Sequence, residues 1–274
     1  MLHLHRCLHT AHDRAVKWRL ITGNPVDGVD GPHVTQEEMG YLTPAEAARL
    51  VDALDGTEYE LPTPVGLFCG LRPTEYLALR WRDLDLERGE PRVMQNVHDL
   101  RKDRVTEHMG QQVRGFRFGP TKTHRSRRPV SMPEELVQRL RLWRSVQSAH
   151  RLKVGEVWVD LDLVFTNAVG LPHSEETVRD RFNRVLEAAS LQRVRLYDLR
   201  HTMATLILND TKDIKLVASR LGHANGYLVL RRYGHLLPGF DQAATARLSE
   251  LIRQARPTAD GTRTDISDDE DAKR

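Results

Sequence analysis

The chain has few cysteines and no long apolar run. Of its 274 residues only Cys7 and Cys69 are cysteines, too few for a disulfide framework and without metal-ligand spacing, so a reducing cytoplasmic setting is expected. The longest apolar runs, such as Met203 to Leu208, are far too short to cross a bilayer, which argues against a membrane partner. The first twenty residues contain His and Arg throughout, a pattern that is not typical of a secretory signal.

Charge is modest in total but uneven along the chain. The formal net charge is +3, yet residues 101–128 hold nine Lys/Arg against two acids, and residues 257–274 hold six acids against three bases. In the net charge, the acidic residues 257–274 therefore offset part of the positive charge of residues 1–256. A basic body suits a polyanion such as nucleic acid, although charge alone is a weak signal.

Periodicity predicts a mainly α fold with a small antiparallel β-sheet (α+β). A first helix carries Leu4, Leu8 and Ala11 at helical spacing and is expected to end at Gly23-Asn24-Pro25. Thr43-Pro44-Ala45-Glu46 then has the pattern of a capping box. We expect further helices and strands in the following segments: helices at 44–55, 73–80, 134–150, 175–189, 198–209, 213–221 and 240–255, a hairpin of 114–118 with 128–132, and a short strand at 163–165.

Four stretches combine residue types that suit phosphodiester chemistry. Moving a phosphodiester onto a protein hydroxyl requires a nucleophile, cations for the transition state and an acid for the leaving oxygen. Arginine is the suited cation because its planar fork binds phosphate oxygens in pairs. The stretches are Gly70-Leu71-Arg72-Pro73-Thr74-Glu75, Thr121-Lys122-Thr123, Asp198-Leu199-Arg200-His201-Thr202, and Leu221-Gly222-His223 followed ten residues later by Tyr233-Gly234-His235-Leu236. Taken singly, all but the first are equally typical of surface charges, a helix cap or a half-buried tyrosine.

Together and in this order, the four stretches resemble the tyrosine recombinase, or phage integrase, family. The resemblance runs from about residue 1 to residue 250 and implies that the enzyme cleaves and rejoins DNA without a cofactor or metal. It implies that Tyr233 attacks the scissile phosphate, that Arg72, Arg200 and His223 hold that phosphate, and that Lys122 protonates the leaving 5′ oxygen, with Glu75 beside Arg72. Further phosphate contacts are expected from four arginines: Arg125, Arg127, Arg128 and Arg232.

Tyr197 departs from the family's pattern. The family usually carries His, sometimes Lys, three residues before the second arginine, and here that residue is a tyrosine. A neutral phenol can donate a hydrogen bond to phosphate but is a poor base near neutral pH. We expect Tyr197 to keep the phosphate contact and to lose the proton-transfer role. His201, one helical turn along, is a candidate substitute, although a structural role is expected for it.

The resemblance also implies a domain order and partners. Residues 1–25 are expected to be the last helix of a truncated core-binding domain, 26–41 a linker, 42–256 the catalytic domain, and 257–274 an acidic disordered tail. The partner is double-stranded DNA, which implies a cytoplasmic, nucleoid-associated enzyme from a mobile element. The apolar stripe of helix 240–255 packs either on its own domain or on a neighbouring protomer of a DNA-bound homotetramer, and the sequence does not decide between them.

Three alternatives stay open at the level of sequence. A type IB topoisomerase shares the chemistry but reseals the original strand. A catalytically impaired DNA-binding remnant is consistent with Tyr197 and the short N-terminal region. A metal site is suggested by His3, His5, Cys7, His9 and His12, but an exposed His-rich helix is the favoured interpretation, so no metal is expected.

Overall fold

The computed structural model describes residues 1–32, 40–57, 59–100, 103–121, 128–223, 225–234 and 240–254. Within these ranges the chain is mainly helical, which confirms the predicted fold class. The helices are Leu2–Lys17 (α1), Pro44–Leu54 (α2), Pro62–Cys69 (α3), Pro73–Tyr76 (α4), Glu134–Val154 (α5), Glu175–Ala188 (α6), Asp198–Thr211 (α7), Ile214–Leu221 (α8), Tyr227–Tyr233 (α9) and Phe240–Gln254 (α10). None of the described helices is long and apolar enough to cross a membrane.

The strands of the described residues form three antiparallel pairs. They are Leu84–Asp85 (β1), Glu90–Pro91 (β2), Gln95–Asp99 (β3), Val105–His108 (β4), Gln111–Arg114 (β5) and Phe116–Pro120 (β6). β1 pairs with β2, β3 with β6, and β4 with β5. Gly115 separates β5 from β6 with φ +82°, a backbone angle that glycine adopts without strain.

Two of the three buried hydrophobic clusters in the described part of the chain join the helices. The larger one joins helices α2 to α6 around Leu50, Tyr76, Leu140 and Phe182. The smaller one packs α7, α8 and α9 together and includes Met203, Ala204, Val217, Leu221, Val229 and Tyr233. α7 borders both clusters because Leu199, near its first turn, is part of the larger one. Residues of α7 and α9 are therefore fixed relative to the rest of the fold.

Local start signals in the sequence are confirmed. Thr43 accepts from the Glu46 backbone N–H and the Glu46 carboxylate accepts from the Thr43 N–H, which is the predicted capping box of α2. Asp213 caps α8 through the Leu216 N–H.

Several predicted boundaries are wrong. The first helix ends at Lys17, not at Gly23, because Arg19 takes a left-handed conformation with φ +59°. The helix predicted at 73–80 stops at Tyr76. Beyond it, the chain turns away to pair with the backbone near Leu163: Val164 N–H donates to the Leu79 carbonyl, and Arg80 forms an isolated bridge with Leu163.

The predicted hairpin is also wrong. β6 pairs with β3, which precedes it, and in the later segment Pro129 forms an isolated bridge with Arg92. In place of the strand predicted at 163–165, the structure has a single β-bridge between Leu163 and Arg80. α3 and α9 were not predicted at all. The predicted tail 257–274 lies outside the described residues.

Candidate active site

Arg72 is placed by a sharp turn between α3 and α4. Gly70 ends α3 in the left-handed conformation with φ +60°, and an added Cβ would lie 1.9 Å from Met203 Cε, so no other residue fits without a shift. Arg72 is then the N-cap of α4. The buried Glu75 carboxylate accepts from the Arg72 backbone N–H at 3.0 Å and from Arg72 Nη1 at 2.5 Å. Glu75 therefore fixes the guanidinium of Arg72, as the sequence led us to expect.

Arg200 joins two of the predicted motifs. Its side chain is only 1% exposed, and Nη1 donates to the Gly70 carbonyl at 2.6 Å while Nη2 donates to the Leu221 carbonyl. Those carbonyls belong to the turn before Arg72 and to the end of α8, just before Gly222 and His223. Gly222 ends α8 in the left-handed conformation, which turns the chain at His223. The guanidinium of Arg200 thus holds the two turns together.

Positive charge is concentrated around these turns. Burial lowers the pKa of Arg200 to about 10, and the charges of Arg72 and Arg128 act in the same direction. Burial lowers the pKa of Arg72 too, but the Glu75 carboxylate and the Tyr197 phenol outweigh it and raise that pKa overall. Crowded cations with few carboxylates nearby are arranged to receive an anion.

His223 lies within the same cluster. The pKa of His223 is lowered to about 4, mainly by burial and further by four positive charges, those of Arg200, Arg72, Arg128 and Arg232. The imidazole is therefore neutral at physiological pH. Among the described residues its Nδ1 has no hydrogen-bond partner although the atom is buried. The side chain is therefore able to donate or accept a hydrogen bond at a bound group, depending on its tautomer.

Tyr233 lies at the end of α9 and contacts a histidine of α7. Its ring is 1% exposed, and its hydroxyl is 2.6 Å from His201 Nδ1. Burial raises the pKa of Tyr233 to about 12, although the charges of Arg200 and Arg232 partly oppose the rise. Tyr197, the N-cap of α7, packs its ring edge-on to His201 at a centroid distance of 5.1 Å and is 38% exposed.

Most of the predicted site residues come together in the structure, and the others lie outside the described residues. Arg72, Glu75, Tyr197, Arg200, His223 and Tyr233 come together. Arg128 is more than a surface phosphate contact: it is buried, and its Nε donates to the Arg220 carbonyl at 2.5 Å. Arg232 is exposed on α9 and its charge acts on Tyr233 and His223. Lys122, Arg125 and Arg127 lie outside the described residues.

Sequence reasoning missed two features of this site. Arg220 lies beside Arg128 and donates to the Phe68 and Ser131 carbonyls, a role with no signal in the sequence. The contact of His201 with Tyr233 was also missed, since a structural role was expected for that histidine. The spacing of Tyr197 and His201, one helical turn apart, could have shown that both face one way.

The His-rich first helix lies apart from these contacts. His9 Nδ1 is 3.1 Å from an Asp13 carboxylate oxygen, and its Nε2 is 2.9 Å from one of Asp27. These three side chains are close enough to hold a cation. Because each ring nitrogen already faces its own carboxylate, a metal could use only one of them after the side chains rearranged. The absence of a metal stays a prediction.

Residues 40–239, which contain the whole described cluster, match the sequence pattern of the phage integrase family. The chain belongs to the phage integrase family. The chain is 26% identical over 258 residues to a tyrosine recombinase XerC-like protein of Caldanaerobacter subterraneus subsp. tengcongensis, covering 91% of the chain and 65% of the relative. It is also 26% identical over 256 residues to the ICEBs1 integrase of Bacillus subtilis, covering 88% of the chain and 62% of that protein. The chain thus spans less than two thirds of the length of these relatives.

Solved structures show the same fold. The integrase of the Tn1549 transposon, in complex with a circular intermediate DNA, superposes with a TM-score of 0.69 at 21% identity, over 89% of this chain and 77% of that one. The chain therefore shares the fold of this integrase.

Proposed function

We propose that the chain is a site-specific DNA recombinase that cleaves and rejoins strands through a 3′-phosphotyrosyl bond to Tyr233. The observation that carries the proposal is the convergence of Arg72, Arg200 and His223 on one cluster whose charge also reaches the phenol of Tyr233. A phosphodiester bound there meets paired arginine forks, and a tyrosine hydroxyl lies next to them.

The proposed reaction has two transfers. Tyr233 attacks the scissile phosphate, and Lys122 protonates the 5′ oxygen that leaves. The free 5′ hydroxyl of a partner strand then attacks the phosphotyrosine and releases Tyr233. No external energy source is needed because the covalent link preserves the phosphodiester energy.

Arg72, Arg200 and His223 stabilise the charge of the pentacoordinate phosphate in both transfers. Glu75 keeps Arg72 in place, and Tyr197 donates to a phosphate oxygen. Because the Tyr233 ring is 1% exposed, DNA binding has to open a path to its hydroxyl.

DNA is the proposed partner, and the supporting observation is electrostatic. Arg128 and Arg232 lie beside the cluster, and Arg125 and Arg127 precede Arg128 along the chain. We assign phosphate contacts to these four arginines and expect affinity to fall steeply with salt, as it does when phosphate contacts release counterions. An enzyme that acts on chromosomal DNA would work at the nucleoid, in the cytoplasm. In this proposal 42–256 is the catalytic domain and α1, with its linker, completes the grip on the duplex.

We further propose that copies of the chain assemble on DNA as a homotetramer through α10. Leu248, Leu251 and Ile252 share one face of that helix and are 57%, 57% and 52% exposed, so the chain's own described residues leave this face largely uncovered. An apolar groove of about 500 Å³ lies between α2, α3 and α7, lined in part by Val51, Phe68 and Ile207. We assign the groove of one protomer to the α10 face of its neighbour.

Two experiments separate the proposal from its rivals. A suicide substrate, nicked so that the cleaved end diffuses away, traps a covalent adduct with a recombinase but not with a DNA-binding remnant. Salt-sensitive binding with no adduct would support the remnant. Two differently marked duplexes carrying the target site then distinguish recombination from simple relaxation of supercoils, which a type IB topoisomerase would give without exchange of markers.

A further inference from the structure

The hydroxyl of Tyr233 has a basic neighbour within its own chain. His201 Nδ1 lies 2.6 Å from Tyr233 Oη, a close contact for a nitrogen–oxygen hydrogen bond, for which about 2.7–3.2 Å is the usual range. Both side chains are buried, His201 on the first turn of α7 and Tyr233 at the end of α9. The contact crosses 32 residues of sequence and is held by the cluster that packs α7 against α8 and α9.

The protonation states define the direction of this hydrogen bond. Burial lowers the pKa of His201 to about 4, so the ring is neutral at physiological pH, while burial raises the pKa of Tyr233 to about 12, so the phenol keeps its proton. The phenol therefore donates and Nδ1 accepts. The charged and titratable groups that face His201 are Tyr197, Asp198, Arg195 and Arg200 from α7 and its approach, and Arg232 and Tyr233 from α9.

Tyr197 cannot serve as the base itself. Its ring packs against His201 at 5.1 Å, and its phenol interacts with the Arg72 guanidinium on the phosphate side of the cluster. A phenol accepts a proton far less readily than an imidazole. In the family's usual pattern, one His three residues before the second arginine both contacts the phosphate and transfers a proton. Here the Tyr197 phenol faces Arg72 and the His201 imidazole faces Tyr233, so these two roles fall to two different side chains.

We propose that His201 is a catalytic residue, the general base that takes the proton of Tyr233 during strand cleavage and returns it during rejoining. The assignment rests on the proposed recombinase function and adds to it the route of the nucleophile's proton.

The protons balance in both directions. In cleavage the Oη–P bond forms, the P–O5′ bond breaks, the Tyr233 proton moves to His201 Nδ1, and Lys122 gives a proton to O5′. In rejoining the 5′ hydroxyl returns its proton to Lys122, and the imidazolium of His201 returns its proton to the departing Tyr233 oxygen. The phosphate adds negative charge near the imidazole, which favours the protonated ring as the bond forms.

His201→Asn tests the assignment through the pH profile of cleavage. Asparagine places a polar atom near the position of Nδ1 but is not a base. In single-turnover cleavage of the nicked suicide substrate, we expect the variant to be slower than wild type by about 10²–10⁴-fold near pH 7. Its rate should then rise about tenfold per pH unit from about pH 6 to about pH 9, because only ionised Tyr233 reacts, whereas the wild-type rate stays nearly flat.

A substrate with sulfur in place of the bridging 5′ oxygen locates the proton that His201 handles. A thiolate leaves without protonation, so this substrate should restore cleavage by Lys122→Ala. It should not restore His201→Asn, because the missing base acts on the nucleophile. Restoration of His201→Asn by sulfur would overturn the assignment.

Controls separate a catalytic role from loss of structure. His173→Asn makes the same change at a buried histidine that packs against Tyr59, and we expect it to leave the rate and its pH profile unchanged. Recovery of His201→Asn at high pH would itself show that the variant is folded. A pH profile of His201→Asn parallel to that of wild type would overturn the role of His201 and leave the recombinase function standing. Absence of any wild-type adduct would overturn both.

Discussion

At the scale of single residues, Gly70 is the glycine on which the geometry of the site depends most directly. Its left-handed backbone directs the turn that places Arg72, and its carbonyl is an acceptor for Arg200. A methyl group there would both strain the backbone and collide with the side chain of Met203. Gly56 offers a matched control, since its φ is +71° but nothing lies within 4 Å of an added Cβ.

We predict that Gly70→Ala lowers the free energy of unfolding by about 2–4 kcal/mol, the sum of left-handed strain and overpacking. Gly56→Ala should lower it by about 1 kcal/mol, from strain alone. Denaturant-induced unfolding of both variants measures the difference. Equal losses would show that the contact with Met203 does not restrict Gly70.

Two histidines of the site, His201 and His223, make stability depend on pH. The pKa of His201 and that of His223 are each lowered to about 4, from an ordinary value of 6.5, first of all by burial. The unfolded chain therefore binds more protons than the folded one between these values, and stability falls as the pH drops through that window.

We predict that the free energy of unfolding decreases by about 1–2 kcal/mol between pH 7 and about pH 5, after allowance for the solvent exposure of the two rings. The double variant His201→Asn/His223→Asn should show a flatter dependence over the same range. Denaturant titrations at several pH values provide the measurement. A wild-type stability that rises on acidification would contradict the assignment of two neutral histidines.

At the scale of elements, α10 carries the assembly prediction. Leu248 and Ile252 lie on its apolar face and are 57% and 52% exposed, so a charged side chain at either position can reach solvent. We predict that Leu248→Asp/Ile252→Asp leaves monomer stability within about 0.5 kcal/mol of wild type, as for surface changes generally. The variant should still form the Tyr233 adduct but should no longer assemble two duplexes into one complex.

Mass measurement of the DNA complexes, by light scattering or native gels, checks this prediction. Leu142→Asp on α5 is the control, because Leu142 is another exposed leucine, at 70%, that we assign to no interface. Loss of assembly in both variants would indicate a general effect of added charge. Intact assembly in the α10 variant would contradict the proposed interface.

The sequence predicted elements where local chemistry determines them. The Thr43–Glu46 capping box, which the sequence predicted, and the Asp213 cap both mark helix starts through contacts within four residues. The helix predicted to reach residue 80 fails for a tertiary reason, since Leu79 and Arg80 bond to a backbone about eighty residues away. α3 was missed because it is buried on nearly every side and has no amphipathic period.

The site, like the fold, could be predicted from the sequence only in part. The resemblance brought Arg72, Arg200, His223 and Tyr233 into one expected cluster, and the structure places the four together. The contact between His201 and Tyr233 depends on how α9 packs on α7, which no local pattern reports. The burial of Arg128 against Arg220 depends likewise on packing between distant segments.

At the scale of the whole molecule, the fold presents a cationic cluster built from three helix ends. The ends of α3 and α8 and the first turn of α7 meet through the guanidinium of Arg200. Membership of the phage integrase family agrees with this arrangement. The central claim is that this cluster promotes attack by Tyr233 on a DNA phosphate.

Mapping of the covalent adduct tests that claim most directly. Wild-type protein is incubated with a nicked suicide duplex that carries the target site, digested with protease, and the DNA-linked peptide is identified by mass spectrometry. We predict a 3′-phosphate ester on Tyr233, and none in Tyr233→Phe, which should still bind the duplex. A wild-type protein that binds the site without forming an adduct, or an adduct on any other residue, would contradict the account.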